Sequence, residues 1–125
     1  MIDFASIECS RIDWQRYEEI QGRADSIPSA LQSLLNASME DAEKYYWGIE
    51  NHVVVQGQLF SAAEPALQVL IASLLNVRPR HTKIDVLELI FQIVAAATLE
   101  ATSDEYRELQ CRIRLRALEG MWVFY

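Results

Sequence analysis

What this 125-residue chain has little of narrows its class first. It carries two cysteines, Cys9 and Cys111, near opposite ends, which is no disulfide framework and no thiolate metal site, so both are expected as reduced thiols. Four glycines and three prolines are too few for the turn-rich all-β folds. Positive charge is scarce as well. Eleven Lys and Arg stand against eighteen Asp and Glu, a formal net charge of −7. A nucleic-acid binder needs surplus cations to neutralise phosphates, so direct nucleic-acid binding is not expected, and a basic protein partner suits the chain better. Apolar runs are short. The stretch Ile93 to Ala97 falls far below a membrane span, and the N-terminal Met1-Ile2-Asp3-Phe4 has neither a basic nor an apolar leader region. A cytoplasmic protein is the expectation. No Gly-rich phosphate loop and no nucleophile elbow occurs. His52 and His81 have no second ligand at metal spacing, so neither a catalytic residue, a metal nor a cofactor is expected, and the reading is a non-enzymatic protein.

What is present is an ordinary globular balance, 51% apolar and 23% charged. The length suits one domain, residues 1–125, able to bury its own core. Gly22 and Gly120 suit the left-handed position just past a helix end. A helix-start signature, Ser or Thr followed three residues later by Asp or Glu, occurs at Ser10–Asp13, Ser38–Asp41, Ser61–Glu64, Thr82–Asp85 and Thr102–Glu105. Pro28 marks a sixth start, because its missing N–H would be unpaired there anyway. Six helices are therefore expected near 11–21, 28–36, 39–57, 62–76, 83–99 and 104–119. The third carries an apolar stripe of Ala42, Tyr46, Ile49, Val53, Gly57 and Phe60. The fifth is apolar nearly all round, which predicts a central helix packed on several neighbours.

An internal repeat organises these helices. Ser33-Leu34-Leu35-Asn36 recurs forty residues on as Ser73-Leu74-Leu75-Asn76. Each copy follows a proline, Pro28 or Pro65, and precedes a capping signature and a long apolar helix. The same offset aligns Trp47 with Leu87, Ile49 with Leu89, and Val53 and Val54 with Ile93 and Val94. A period near forty with two helices per unit is that of a helical-repeat array. Over residues 28–99 the chain resembles HEAT-like repeat proteins, with Asp41, Lys44 and Asp85 standing where such repeats often carry an acid and a base. The resemblance implies an all-α fold of about six helices in antiparallel pairs, a short right-handed solenoid that binds a protein through an exposed face. Size and acidity extend it to the small immunity proteins that bacteria pair with toxic nucleases. That likeness implies a partner that is a basic toxin domain, neutralised by an acidic face over its substrate site. A HEAT-like scaffold or adaptor subunit with a cellular partner is the alternative.

On the fifth helix Asp85, Glu88 and Gln92 form a polar line at spacings of three and four. At the forty-residue offset they correspond to Tyr45, Gly48 and His52. If the repeats stack in parallel the two lines lie side by side, and Tyr45, His52, Asp85, Glu88 and Gln92 are the candidate partner-binding residues. The competing reading is that this line is only where the central helix meets water. His52 and Gln56 share a helical face and could equally be a semi-buried polar pair. Arg112 and Arg116 are expected to continue an ion-pair ladder from Glu108. The apolar end, Met121-Trp122-Val123-Phe124-Tyr125, is expected either to dock over the last helix pair or to meet a partner.

Overall fold

The computed structural model describes residues 2–124, without the side chains of Trp122 and Phe124. Within that span the fold is all-α. Its six helices are α1 (Phe4–Arg11), α2 (Ile27–Asn36), α3 (Met39–Val53), α4 (Ala63–Ser73), α5 (Arg80–Ala96) and α6 (Asp104–Glu119). Two antiparallel hairpins of two-residue strands join some of them. The first pairs β1 (Glu18–Glu19) with β2 (Gly22–Arg23); the second pairs β3 (Val54–Val55) with β4 (Gln58–Leu59).

Local chemistry explains which expected starts hold. Ser38 caps α3, its Oγ accepting from the Asp41 N–H at 3.4 Å. Ser103, one residue beyond the expected Thr102, caps α6 by accepting from Tyr106 N–H at 3.1 Å. The other three signatures serve elsewhere. Ser10 lies inside α1 and donates to the Ile7 carbonyl, while Asp3 caps that helix. Ser61 Oγ accepts from the Glu18 N–H at 2.8 Å and so ties the first hairpin to the start of α4. Thr82 is buried one turn into α5, which begins directly after Pro79.

The expected helix 11–21 does not form. A short 3-10 turn at Trp14–Arg16 buries Trp14, whose Nε1 donates to the Cys9 carbonyl, and the chain then turns through β1 and β2. Gly22, expected just past a helix end, is instead in this hairpin at φ 130°. Helix α3 also stops short of 57. Three consecutive valines, 53 to 55, favour extended backbone, and Gln56 at φ 52° with Gly57 at φ 81° makes the tight turn that reverses the chain. Gly120 follows α6 as expected but at φ −90°. Its lack of a Cβ matters for space, since one would sit 2.8 Å from Ile71 Cδ1.

The central helix is α4, not α5. Nine of its eleven residues are buried, and α1, α2, α5 and α6 all pack on it. Helix α5 instead leaves Ile84, Leu87 and Phe91 exposed, Phe91 at 66%. Its all-round apolarity therefore includes a face open to solvent. Helix α2 pairs with α3 and α4 with α5, and across the pairs α2 meets α4 and α3 meets α5. The forty-residue offset is preserved in burial: Ala42 and Thr82, Tyr46 and Val86, Ile49 and Leu89, Val53 and Ile93 are all enclosed. Arg112 and Arg116 do share a face of α6, but both reach the buried carboxylate of Glu64 on α4, at 3.0 and 3.3 Å, rather than Glu108. No helix among the described residues is long and apolar enough to cross a membrane.

Candidate functional site

Between α3 and α5 runs a groove of about 360 Å³ lined by Met39, Ala42, Glu43, Tyr46, Trp47 and Glu50 on one side and His81, Asp85, Glu88 and Gln92 on the other. It exists because both helices turn an apolar stripe inward, Ile49 and Val53 on α3 and Leu89 and Ile93 on α5. The residues flanking those stripes are left facing each other along the rim. Four carboxylates line it and neither Lys nor Arg does. The one cationic candidate, His81, donates through Nε2 to the Ala37 carbonyl at 3.0 Å, which fixes its ring against the turn between α2 and α3.

Crowded like charges shape the electrostatics. Burial, then the neighbouring Glu88, raises the Glu50 carboxyl above its ordinary value. Burial also raises Asp85; His81 works against that rise and Glu88 adds to it. The Tyr46 hydroxyl is pushed up to about 12, first by burial and then by Glu88, Glu50 and Asp85. Proton loss from all three groups is thus disfavoured by the same enclosure, and a cation entering the groove would relieve it. Trp47, 47% exposed, meets Tyr46 edge-on with ring centroids 5.2 Å apart and offers a ring to whatever enters.

Asp85, Glu88 and Gln92 thus sit together in a groove, as the polar line on the sequence implied. Tyr45 and His52 do not join them. His52 Nδ1 pairs with the carboxylate of Glu19, itself 5% exposed, and the His52 carbonyl accepts from Ile20 N–H, which fastens the first hairpin to α3. Tyr45 packs half-buried against the core beneath the Lys44 ammonium, 5.4 Å from the ring centroid. The reason is geometric. Equivalent residues of two stacked, parallel helices point in the same direction, not at each other. Since 85, 88 and 92 face back toward α3, residues 45, 48 and 52 face away from α5, and His52 meets the first hairpin there. The residues of α3 that meet α5 lie on its opposite side, at 39, 43, 46 and 50. Their spacing of three and four was the signal available in the sequence; it was masked because Tyr46 and Ala42 also belong to the apolar stripe.

A second depression, about 570 Å³, lies between α5 and α6. Leu87, Ile90, Phe91, Val94, Leu118 and Met121 supply most of its wall. At the chain end Met121–Phe124 forms a short 3-10 turn, and Val123 packs against the core. The docking expected of Trp122, Phe124 and Tyr125 lies outside the described side chains.

Among the described residues no group of three or more His, Cys, Asp and Glu side chains is placed to hold a metal ion. No family model, no curated protein and no solved structure matches the chain.

Proposed function

We propose that this is a non-enzymatic protein-binding domain, a short right-handed HEAT-like stack that receives a basic segment of its partner in the α3/α5 groove. The observation that carries the reading is the groove itself: Glu43, Glu50, Asp85 and Glu88 face one trough with no Lys or Arg among them. Like charges held together cost free energy in the free protein, and a basic partner returns it on docking. The specific form proposed is an immunity protein that neutralises a toxin domain, for which the small size, the net charge of −7 and the paired helices are the support. Against a nuclease, whose substrate surface is basic, this acidic face would speed encounter and occlude the site.

The test is to recover the partner by tagging the chain in its native cell, then to measure its affinity for the D85K/E88K variant. Affinity is expected to fall by roughly a hundredfold, with the association rate of the unaltered pair dropping steeply as salt rises. Unchanged affinity, with the variant folded by circular dichroism, would remove the groove from the interface. The second reading, a scaffold or adaptor subunit, is favoured by the apolar depression between α5 and α6. A salt-insensitive complex weakened by F91A and L118A rather than by charge reversal would establish it.

A further inference from the structure

The groove carries a finer signal than its charge. Tyr46 is nine-tenths buried at 9% exposure and lines the groove, and no hydrogen bond to its hydroxyl is present among the described residues. Thr82 Oγ1 is the one enclosed side-chain oxygen or nitrogen lacking a partner there. The Tyr46 hydroxyl is not among the enclosed atoms and is therefore accessible, on a residue that lines the groove. A phenolic hydroxyl open to a groove can accept from, or donate to, whatever enters. Glu50, Asp85 and Glu88 line the same groove as this residue.

Several cations could answer an acidic trough, and the geometry separates them. A metal ion needs converging ligands, and no three acidic or histidine side chains converge. An ammonium is a compact, strongly hydrated point charge with three donors, best matched by one tight cluster of acceptors. A guanidinium spreads five N–H donors over a plane, is more weakly hydrated, and stacks on aromatic faces. Here the carboxylates are spread over two helices, Glu50 on α3 and Asp85 and Glu88 on α5, and Tyr46 and the exposed Trp47 line the same groove. Spread acceptors and a stacking surface fit the planar cation.

We propose that the α3/α5 groove is a socket for one arginine side chain of the protein partner, whose guanidinium bridges Glu50 with Asp85 and Glu88, stacks on Trp47 and donates to the Tyr46 hydroxyl oxygen. This rests on the groove being the partner-binding face. It adds that recognition there is selective for arginine over lysine, through a tyrosine and a tryptophan that charge alone would not require.

The test uses isotope-labelled full-length protein titrated with L-argininamide, L-lysinamide and uncharged L-citrullinamide, followed by the Trp47 indole N–H and the backbone amides of α3 and α5. L-Argininamide is expected to bind at the groove with at least about threefold higher affinity than L-lysinamide, and L-citrullinamide not at all. Y46F and W47A should each reduce the preference toward unity, and E88Q should weaken both cations alike. Equal binding of L-argininamide and L-lysinamide, shifts scattered over the surface, or a preference that survives both Y46F and W47A would overturn the socket. Partner affinity still lost in D85K/E88K alongside such a result leaves the protein-binding reading standing. A selective L-argininamide site with partner affinity unmoved by charge reversal would overturn that reading instead.

Discussion

Single carboxylates in this protein divide into two kinds with opposite pH behaviour. Asp3 is held below its ordinary 3.8: although burial acts to raise it, hydrogen bonds from the Ser6 hydroxyl and backbone and the nearby Arg78 guanidinium outweigh that. Its contribution is present above the ordinary value and is lost as pH falls through the lowered one. Glu50 and Asp85 are raised, so the folded state binds their protons more readily than the unfolded chain does. Their contribution is most favourable below their ordinary values of 4.5 and 3.8 and is lost as pH rises through the raised ones. We therefore expect E50Q and D85N each to stabilise the free protein at pH 7, by roughly 0.5 kcal/mol once solvent screening in an open groove is allowed for. The gain should vanish as the pH is lowered into the range where the native carboxyls protonate. Urea midpoints of the three proteins at several pH values check this. A loss of stability at pH 7 would mean that these side chains are satisfied rather than crowded.

At the scale of elements, the first hairpin explains why a residue can look functional and act structurally. In the sequence His52 is a lone imidazole on a half-apolar helix. In the fold its Nδ1 pairs with Glu19, a buried carboxylate that also accepts from the Gln21 N–H at 2.7 Å. H52A would strand that carboxylate, and an expected loss of about 1–3 kcal/mol should appear in chemical denaturation, with partner affinity at neutral pH little changed. A stable H52A variant with weakened binding would return His52 to the interface. The hairpin itself was hard to read. Its strands are two residues long, too short to show alternation, and Ser10–Asp13 imitates a helix start in a segment whose Ser10 is already helical. Helix α6, by contrast, spans Asp104–Glu119 as expected, since Ser103, the acidic first turn and the glycine after Glu119 bracket it locally.

For the whole molecule, the exchange of roles between α4 and α5 is the main departure from the sequence. Both are rich in apolar residues, and composition does not say which of two such helices is surrounded. Helix α4 is short and lies under four neighbours. Helix α5 covers one side of it and turns Leu87 and Phe91 outward. The two positions should differ sharply in thermal and urea unfolding. L70A, at a fully enclosed site of α4, is expected to cost about 2–5 kcal/mol. F91A, at a 66% exposed site, should stay within about 0.5 kcal/mol. Comparable losses at both would mean that the α5/α6 face is covered in solution.

Backbone and burial preferences act over a few residues, so the helical class, the capped starts at Ser38 and near Ser103, and the inward stripe of α3 were legible in the chain. So was the clustering of Asp85, Glu88 and Gln92, which follows from helical spacing alone. Which residues of α3 stand opposite them was not legible, because that depends on how one helix is turned toward another. The forty-residue repeat correctly paired equivalent positions, but equivalence means sharing a direction, and a groove is made by opposed directions. Packing of α3 against α2 on one side and α5 on the other sets that rotation. It brings Tyr46, Trp47 and Glu50 to the acidic line and sends Tyr45 and His52 away from it.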